Sequence, residues 1–168
     1  KDTLARPWAK PGTENLEHRI GGIEKEDVTG NVNYDPENHH FMVKTRALKV
    51  QNIANELPPT DVFGEKSGDL LILSWGGTQG ACRSATEALV NDGKKVSHIH
   101  LRWINPLPND LGELLIKFKH VLIPEINLGQ LIKIIRAEYL IDAIGLNKVK
   151  GKPISSAEIQ DNVKKILE

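Results

Sequence analysis

The amino-acid sequence predicts an α/β protein, a three-layer sandwich whose parallel sheet is covered by helices on both faces. Short apolar segments of strand length alternate with helical patterns from residue 69 onward, and Gly- or Pro-containing turns separate them. Such alternation is typical of a parallel sheet with helical crossovers. Because these crossovers are right-handed, the pattern favours a doubly wound sheet of about four or five strands.

The individual elements follow from their apolar periodicity and from the residues at their ends. The predicted strands are residues 69–75, 95–101, 120–124 and 146–150. The predicted helices are residues 78–92, 109–118, 130–144 and 155–167. Ser155 and Glu158 have the spacing of a capping box at the start of the last helix.

The region before the sheet has a different character. Residues 1–35 contain scattered Pro, Gly and charged residues without a sustained apolar period, which predicts an extended interdomain arm. From Pro36 to residue 58 the pattern indicates an amphipathic helix, with Asp35 as its cap and basic residues beside an apolar stripe. Residues 59–168 are predicted to form the α/β domain.

Composition excludes several classes of function. Lys plus Arg equals Asp plus Glu, 22 of each, so no overall field attracts nucleic acid or an anionic membrane. The single cysteine, Cys82, excludes an internal disulfide framework and a self-contained iron–sulfur cluster, and it favours a reducing cytoplasm. The start at Lys1 and a single internal methionine, Met42, predict a fragment of a longer chain.

The segment 74–80, SWGGTQG, lies at a predicted strand-to-helix turn, where free amides and the helix dipole can hold an anion. This predicts a candidate anion site at Gly76, Gly77 and Thr78, with Arg102 after the next strand as its cation. The glycine spacing does not match a dinucleotide fingerprint. Tight packing of the turn against the sheet is the alternative explanation.

Two further candidates, Glu125 and Asn127, follow the third predicted strand. Ligand sites of α/β proteins lie at the carboxyl ends of strands, so these side chains are candidates for substrate binding in a crevice shared with the Gly76 turn. An acidic residue just before a helix is also typical of a cap or a partner for the helix dipole.

The remaining reactive residue types do not form a catalytic or metal-binding pattern. His98 and His100 alternate on one predicted strand and so share a face, which favours structural hydrogen bonds. Cys82 has no partnered histidine in the sequence pattern, which favours a buried core thiol. We therefore predict no catalytic residue and no metal ligand in this chain.

The arm carries a charged, glycine-containing stretch, EHRIGGIE, at residues 17–24. Paired glycines permit close backbone approach, so an ordered contact with a missing domain is one interpretation and a solvated linker is the other. The candidate interface residues are His18, Arg19, Gly21, Gly22 and Arg46. The apolar residues of the arm are expected to pack on this chain or on a second copy, as in a homodimer.

An ordered series of segments resembles the α subunit of 2-oxoglutarate:ferredoxin oxidoreductases, within the 2-oxoacid:acceptor oxidoreductase family. The segments are 16–24 (LEHRIGGIE), 29–39 (TGNVNYDPENH), 75–80 (WGGTQG), 100–102 (HLR), 105–108 (NPLP), 124–131 (PEINLGQL) and 136–140 (RAEYL), with Arg46 and Lys49. The resemblance covers essentially the whole chain. It implies a transketolase C-terminal-like domain whose five-stranded sheet includes one antiparallel strand, which residues 61–63 could supply.

The resemblance also implies what the parent complex does. Enzymes of this family oxidatively decarboxylate a 2-oxoacid to an acyl-CoA and reduce ferredoxin, using thiamine diphosphate, magnesium, iron–sulfur clusters and coenzyme A. We expect none of these cofactors to be bound by this chain alone. Its expected partners are the β subunit and the preceding pyrimidine domain of the α subunit, and its expected role is assembly. A module that binds an anion or a coenzyme A phosphate at the Gly76 turn is the alternative function.

Overall fold

The computed structural model describes residues 2–18 and 21–168. The chain divides into two compact units, Lys1–Leu57 and Pro58–Glu168. No helix in the described ranges combines the length and the hydropathy that a membrane crossing requires.

The first unit contains turns, one helix and a short antiparallel bridge. Helix α1 (Pro36–Gln51) begins where Asp35 accepts hydrogen bonds from the first free amides of the helix, and a 3-10 helix, Asn52–Glu56, continues it. The α-helix predicted to reach residue 58 therefore ends at Gln51, and the 3-10 helix that follows it ends at Glu56. The arm is not extended throughout, because Lys25 and Val32 pair across a turn.

Only Met42 is buried on α1, at 9% exposure. Large apolar side chains on the same helix remain exposed: Phe41, Val43, Leu48 and Val50. The apolar residues Trp8, Leu16 and Val28 of the arm are also exposed. Ile20 lies outside the described residues.

The second unit is a five-stranded sheet between two helical layers, which confirms the predicted fold class. The strands are β1 (Val62–Phe63), β2 (Gly68–Trp75), β3 (Val96–Leu101), β4 (Phe118–Glu125) and β5 (Ile144–Asn147). The helices are α2 (Gln79–Asn91), α3 (Leu111–Leu115), α4 (Leu131–Tyr139) and α5 (Ser156–Leu167). The strand order is β1-β3-β2-β4-β5, and all neighbours are parallel except β1, which pairs antiparallel with β3.

Two hydrophobic clusters fill the spaces on the two faces of the sheet. Leu71, Leu73 and Ile123 pack with α3 and α4 on one face. Leu70 and Ile72 pack with α2 and α5 on the other. The fully apolar run of β2 is thus explained, because successive side chains point into opposite cores.

Three predicted boundaries are wrong. The helix predicted for 130–144 ends at Tyr139, because Leu140 adopts a left-handed conformation (φ 53°) and the chain then enters β5. The strand predicted for 146–150 accordingly occupies Ile144–Asn147. The helix predicted for 109–118 is limited to α3, since Phe118 already belongs to β4. The capping box of α5 is present, with Ser155 accepting from the Glu158 amide.

Candidate functional site

The natural ligand position of this fold is the carboxyl edge of the sheet between β2 and β4. The chain runs from β2 outward to β3 and then returns past β2 to β4, so the strand order reverses at this point. In open α/β sheets, ligands bind in the crevice at such a reversal. Here the crevice lies between Trp75, at the end of β2, and Glu125, at the end of β4.

Glu125 is fully buried in this crevice and its carboxylate is surrounded by donors. Trp75 Nε1 donates to Oε1 at 3.2 Å and Asn127 Nδ2 donates to the same oxygen at 3.2 Å. The backbone amides of Leu131 and Ile132, in the first turn of α4, donate to Oε1 and Oε2 at 2.9 and 3.2 Å. Glu125 therefore satisfies free amides at the N-terminus of α4 and complements its dipole.

Asn127 completes this arrangement. Its Oδ1 accepts from the amides of Gly129 at 2.8 Å and Gln130 at 3.0 Å. Gly129 has a φ of +85°, and a Cβ there would meet Ile132 Cγ2 at 2.9 Å, so the loop requires glycine. These hydrogen bonds engage both side chains in joining β2, β4 and α4, which is the capping arrangement expected as the alternative to substrate binding.

The Gly76 turn is open. Gly76 has a φ of +57°, and a Cβ added at Gly76, Gly77 or Gly80 would meet no atom within 4 Å. Thr78 is buried instead, and its hydroxyl donates to the Trp75 carbonyl at 2.8 Å. The turn thus packs inward through Thr78, whereas its glycines face open space.

Arg102 is not part of the crevice between β2 and β4. It is exposed and lines a separate cleft of about 270 Å³ beside the end of β3, together with Gln79 and Arg83 of α2. The structure therefore divides the predicted site: Glu125 and Asn127 meet Trp75, whereas Arg102 lies with residues that the sequence pattern did not single out.

The strand histidines form a buried polar link between β2 and β3. Ser74 Oγ lies 2.7 Å from His98 Nε2 and 2.8 Å from His100 Nδ1. Burial, with positive charge at His100 and Arg83, lowers the pKa of His98 to about 4, and burial lowers the pKa of His100 as well. Structural hydrogen bonding, as predicted, describes this pair.

The interface residues predicted in the first unit have different surroundings. Gly21 and Gly22 are exposed, and a Cβ added at either would meet no neighbouring atom within 4 Å. His18 is exposed, with Nδ1 2.9 Å from the Leu16 carbonyl oxygen. Arg19 lies outside the described residues. These positions are free of packing within the described chain but carry no contact that assigns them a partner.

Arg46 is already engaged within its own unit. Its guanidinium donates to both oxygens of Glu24 at 2.9 and 3.2 Å, and His39 Nδ1 lies 2.6 Å from the same carboxylate. The hydrogen bonds from Arg46 and His39 lower the pKa of Glu24 to about 2. Arg46 thus ties the arm to α1, and this intramolecular contact was not part of the sequence prediction.

The described residues provide no set of side chains for the metal ions that the resemblance implies. Among the described residues, no group of three or more His, Cys, Asp or Glu side chains could hold a metal ion. Cys82 is buried, and burial raises the pKa of its thiol to about 11. No catalytic step is derived through these groups.

Comparison with known proteins shows which proteins this chain is similar to. The chain is 42% identical over 160 residues to the 2-oxoglutarate oxidoreductase subunit KorA of Mycobacterium tuberculosis, which covers 95% of this chain and 24% of that protein. It is 27% identical to the 2-oxoacid:ferredoxin oxidoreductase α subunit of Saccharolobus solfataricus, over 96% of this chain and 26% of that subunit. The chain is homologous to one segment of these α subunits.

Solved structures agree with this homology. The 2-oxoglutarate:ferredoxin oxidoreductase of Magnetococcus marinus, solved with 2-oxoglutarate, coenzyme A and succinyl-CoA bound, superposes with a TM-score of 0.91 at 32% identity. That match covers 100% of this chain and 30% of the other. A split-gene transketolase, TM-score 0.51 at 19% identity over 66% of this chain and 42% of the other, shares the fold. No family model matches the chain.

Proposed function

We propose that this chain is the transketolase C-terminal-like part of a 2-oxoacid:ferredoxin oxidoreductase α subunit, and that it serves assembly. The parent complex would convert 2-oxoglutarate, or a related 2-oxoacid, to an acyl-CoA and pass electrons to ferredoxin. This chain spans about a quarter of its curated relatives, which leaves most of an α subunit to be supplied by other segments. The homology supports the family.

The exposed apolar surface of α1 carries the assembly proposal. Phe41 and Leu48 are seven residues apart, so they lie on one side of the helix, and both are about half exposed, at 49% and 47%. Val43 and Val50 have the same spacing on another side and are also exposed. A helix with apolar residues on several sides is typical of one surrounded by protein. We assign its partners as the preceding pyrimidine domain of the α subunit and the β subunit.

The Glu24–Arg46 ion pair supports this role from inside the first unit. It holds the segment after the arm's glycine pair against α1, so the arm and α1 can approach a partner as one preformed surface. Preformed surfaces lose less conformational entropy on binding. Residues 1–35 are accordingly proposed as the interdomain arm and α1 with its 3-10 extension as the connecting helix.

Titration calorimetry with the cognate β subunit tests this assignment through two matched variants. Phe41→Ser and Lys44→Ser each remove a large exposed side chain from α1 and introduce the same residue. We expect F41S to weaken binding at least tenfold, because aromatic anchors contribute strongly at protein interfaces, and K44S to change it less than about twofold. Equal effects of both variants, or no heat with the wild-type chain, would contradict the proposal.

A second candidate function rests on the open Gly76 turn. The exposed glycines before α2 leave backbone amides accessible at a helix N-terminus, a geometry that accepts phosphate groups. The Magnetococcus marinus structure contains coenzyme A, which makes a coenzyme A phosphate the ligand to test. Saturable heat on titrating the chain with coenzyme A, lost in Gly77→Pro, would favour this candidate over a purely structural turn.

A further inference from the structure

The cleft beside the end of β3 is independent of the crevice between β2 and β4. It has a volume of about 270 Å³, and all of its lining residues belong to the unit Pro58–Glu168. Its walls are the segment before and within β1, the N-terminal half of α2 and the residues that follow β3. Pockets that hold small ligands combine an apolar lining with a few polar groups, and this cleft has both.

The apolar part of the cleft comes from Phe63, Trp103 and three prolines. Trp103 is 39% exposed, so part of a large aromatic side chain is available at the opening. Pro58, Pro59 and Pro108 complete this part with rigid rings. Such surfaces bind apolar groups at little cost in side-chain entropy, because aromatic and proline side chains have few rotatable bonds.

The charged part of the cleft comes from two guanidinium groups. Arg83 is held in place, since its guanidinium carbon lies 3.2 Å from the centre of the Phe63 ring and its Nε donates to Glu87 at 2.8 Å. Arg102 has no hydrogen bond or ion pair with any residue in the described ranges. Asp61 also lines the cleft and Arg83 is paired with Glu87, so Arg102 is the guanidinium of the cleft that has no carboxylate partner among the described residues.

Two imidazoles add hydrogen-bonding groups at the wall. Each uses one ring nitrogen on Ser74, and the other nitrogens, Nδ1 of His98 and Nε2 of His100, have no hydrogen-bond partner within residues 2–18 and 21–168. In these ranges, every side-chain nitrogen or oxygen that is closed off from solvent has a hydrogen-bond partner. Because these two nitrogens have none, they are not closed off from solvent, and both rings line the cleft. Burial keeps both rings neutral near pH 7, which leaves the arginines as the source of positive charge.

We propose that this cleft binds a small organic anion, with a carboxylate or phosphate head group on Arg102 and Arg83 and an apolar body against Trp103 and Phe63. Guanidinium groups bind both kinds of head group through paired hydrogen bonds. Ser74 has a single hydroxyl hydrogen to donate, so at most one of the two neutral imidazoles keeps an N–H toward the cleft, and this N–H can donate to the head group. This site differs from the Gly76 turn and does not depend on the assembly role.

Titrations of the 168-residue chain followed by amide and indole NMR shifts test the proposal. The probes are benzoate, phenyl phosphate and the neutral analogue benzyl alcohol. We expect at least one anion to bind saturably, on the order of 1 mM for a ligand of this size, with shifts centred on Trp103. Benzyl alcohol should bind at least tenfold more weakly, because it lacks the charge. The tighter of the two anions identifies the preferred head group.

Matched variants separate a specific site from general apolar binding. Arg102→Gln should weaken binding of the anion roughly tenfold, whereas Lys133→Gln, which removes an exposed cation from α4, should change it less than about twofold. Both side chains are exposed, so both variants should keep the wild-type spectrum elsewhere. Equal binding of benzyl alcohol and the anions, no saturation up to about ten times the expected constant, or equal affinity of R102Q and wild type would overturn the proposal.

Discussion

Replacing Glu125 with Gln tests whether this carboxylate is a structural link or a ligand-binding group. Three donors point at Oε1, from Trp75, Asn127 and the Leu131 amide, and one at Oε2, from the Ile132 amide. A glutamine can keep its oxygen at the position of Oε1 only by placing its NH2 group at the position of Oε2, against the Ile132 amide. Two donors then face each other. The opposite orientation sets that group against three donors.

The expected decrease in the free energy of unfolding follows from these contacts. Losing one charge-assisted hydrogen bond costs about 1.5–3 kcal/mol, and the lost interaction of Glu125 with the α4 dipole adds roughly 0.3–1 kcal/mol. The neutral amide avoids burial of a charge, which offsets part of this loss. We expect the free energy of unfolding of E125Q to fall by about 2 kcal/mol.

Urea denaturation followed by circular dichroism measures this change. With a slope of about 2 kcal/mol per molar urea, the transition midpoint should fall by about 1 M at an unchanged slope. Glu138→Gln is the matched control, because Glu138 is exposed on α4, and its midpoint should stay within the effect of an ordinary surface change, about 0.5 kcal/mol. An E125Q midpoint equal to that of E138Q would refute the structural role.

Three further predictions follow from burial and charge. Ile135→Ala removes a fully buried side chain of α4 and should cost about 2–5 kcal/mol, whereas Ile134→Ala on the 45% exposed neighbour should cost less than about 1 kcal/mol in the same urea assay. In the unfolded chain the His98 imidazole binds a proton below about pH 6.5, whereas in the folded chain its pKa is about 4. Acidification through this window should therefore destabilise the fold by up to about 3 kcal/mol. An NMR titration midpoint near 6.5 for His98 would contradict this. The pKa of Glu24 is about 2 because of Arg46, so the stabilising effect of this carboxylate is present above pH 4.5 and lost as pH falls toward 2. R46Q should raise the pKa of this carboxyl toward 4.5 in a carboxyl-carbon NMR titration. An unchanged pKa would exclude the ion pair.

The sequence predicted the sheet well because its signals are local. The apolar run of β2, the capping box at Ser155 and the Asp35–Pro36 start of α1 each depend on neighbouring residues. The end of α4 was missed because apolar residues continue past Tyr139 without a Gly or Pro to mark the left-handed turn at Leu140. Periodicity alone cannot distinguish a helix that continues from a short strand that follows.

The candidate site was harder to predict because its contacts depend on strand register. Ser74 lies opposite His100 in the parallel pairing of β2 and β3, and this register is not encoded in either strand alone. The indole of Trp75 reaches Glu125 across 50 positions of sequence for the same reason. Glu125 does end β4, but its position in the sequence does not show that its oxygens are engaged by Trp75, Asn127 and the first amides of α4.

The most direct test of the assembly role is reconstitution of activity from separate parts. An α subunit lacking this segment would be combined with the β subunit, and ferredoxin reduction by 2-oxoglutarate and coenzyme A would be measured with and without the 168-residue chain. We expect turnover only when the chain is added, saturating near one chain per complex, and none from the chain alone. Full activity without the chain, or turnover by the chain alone, would contradict the account.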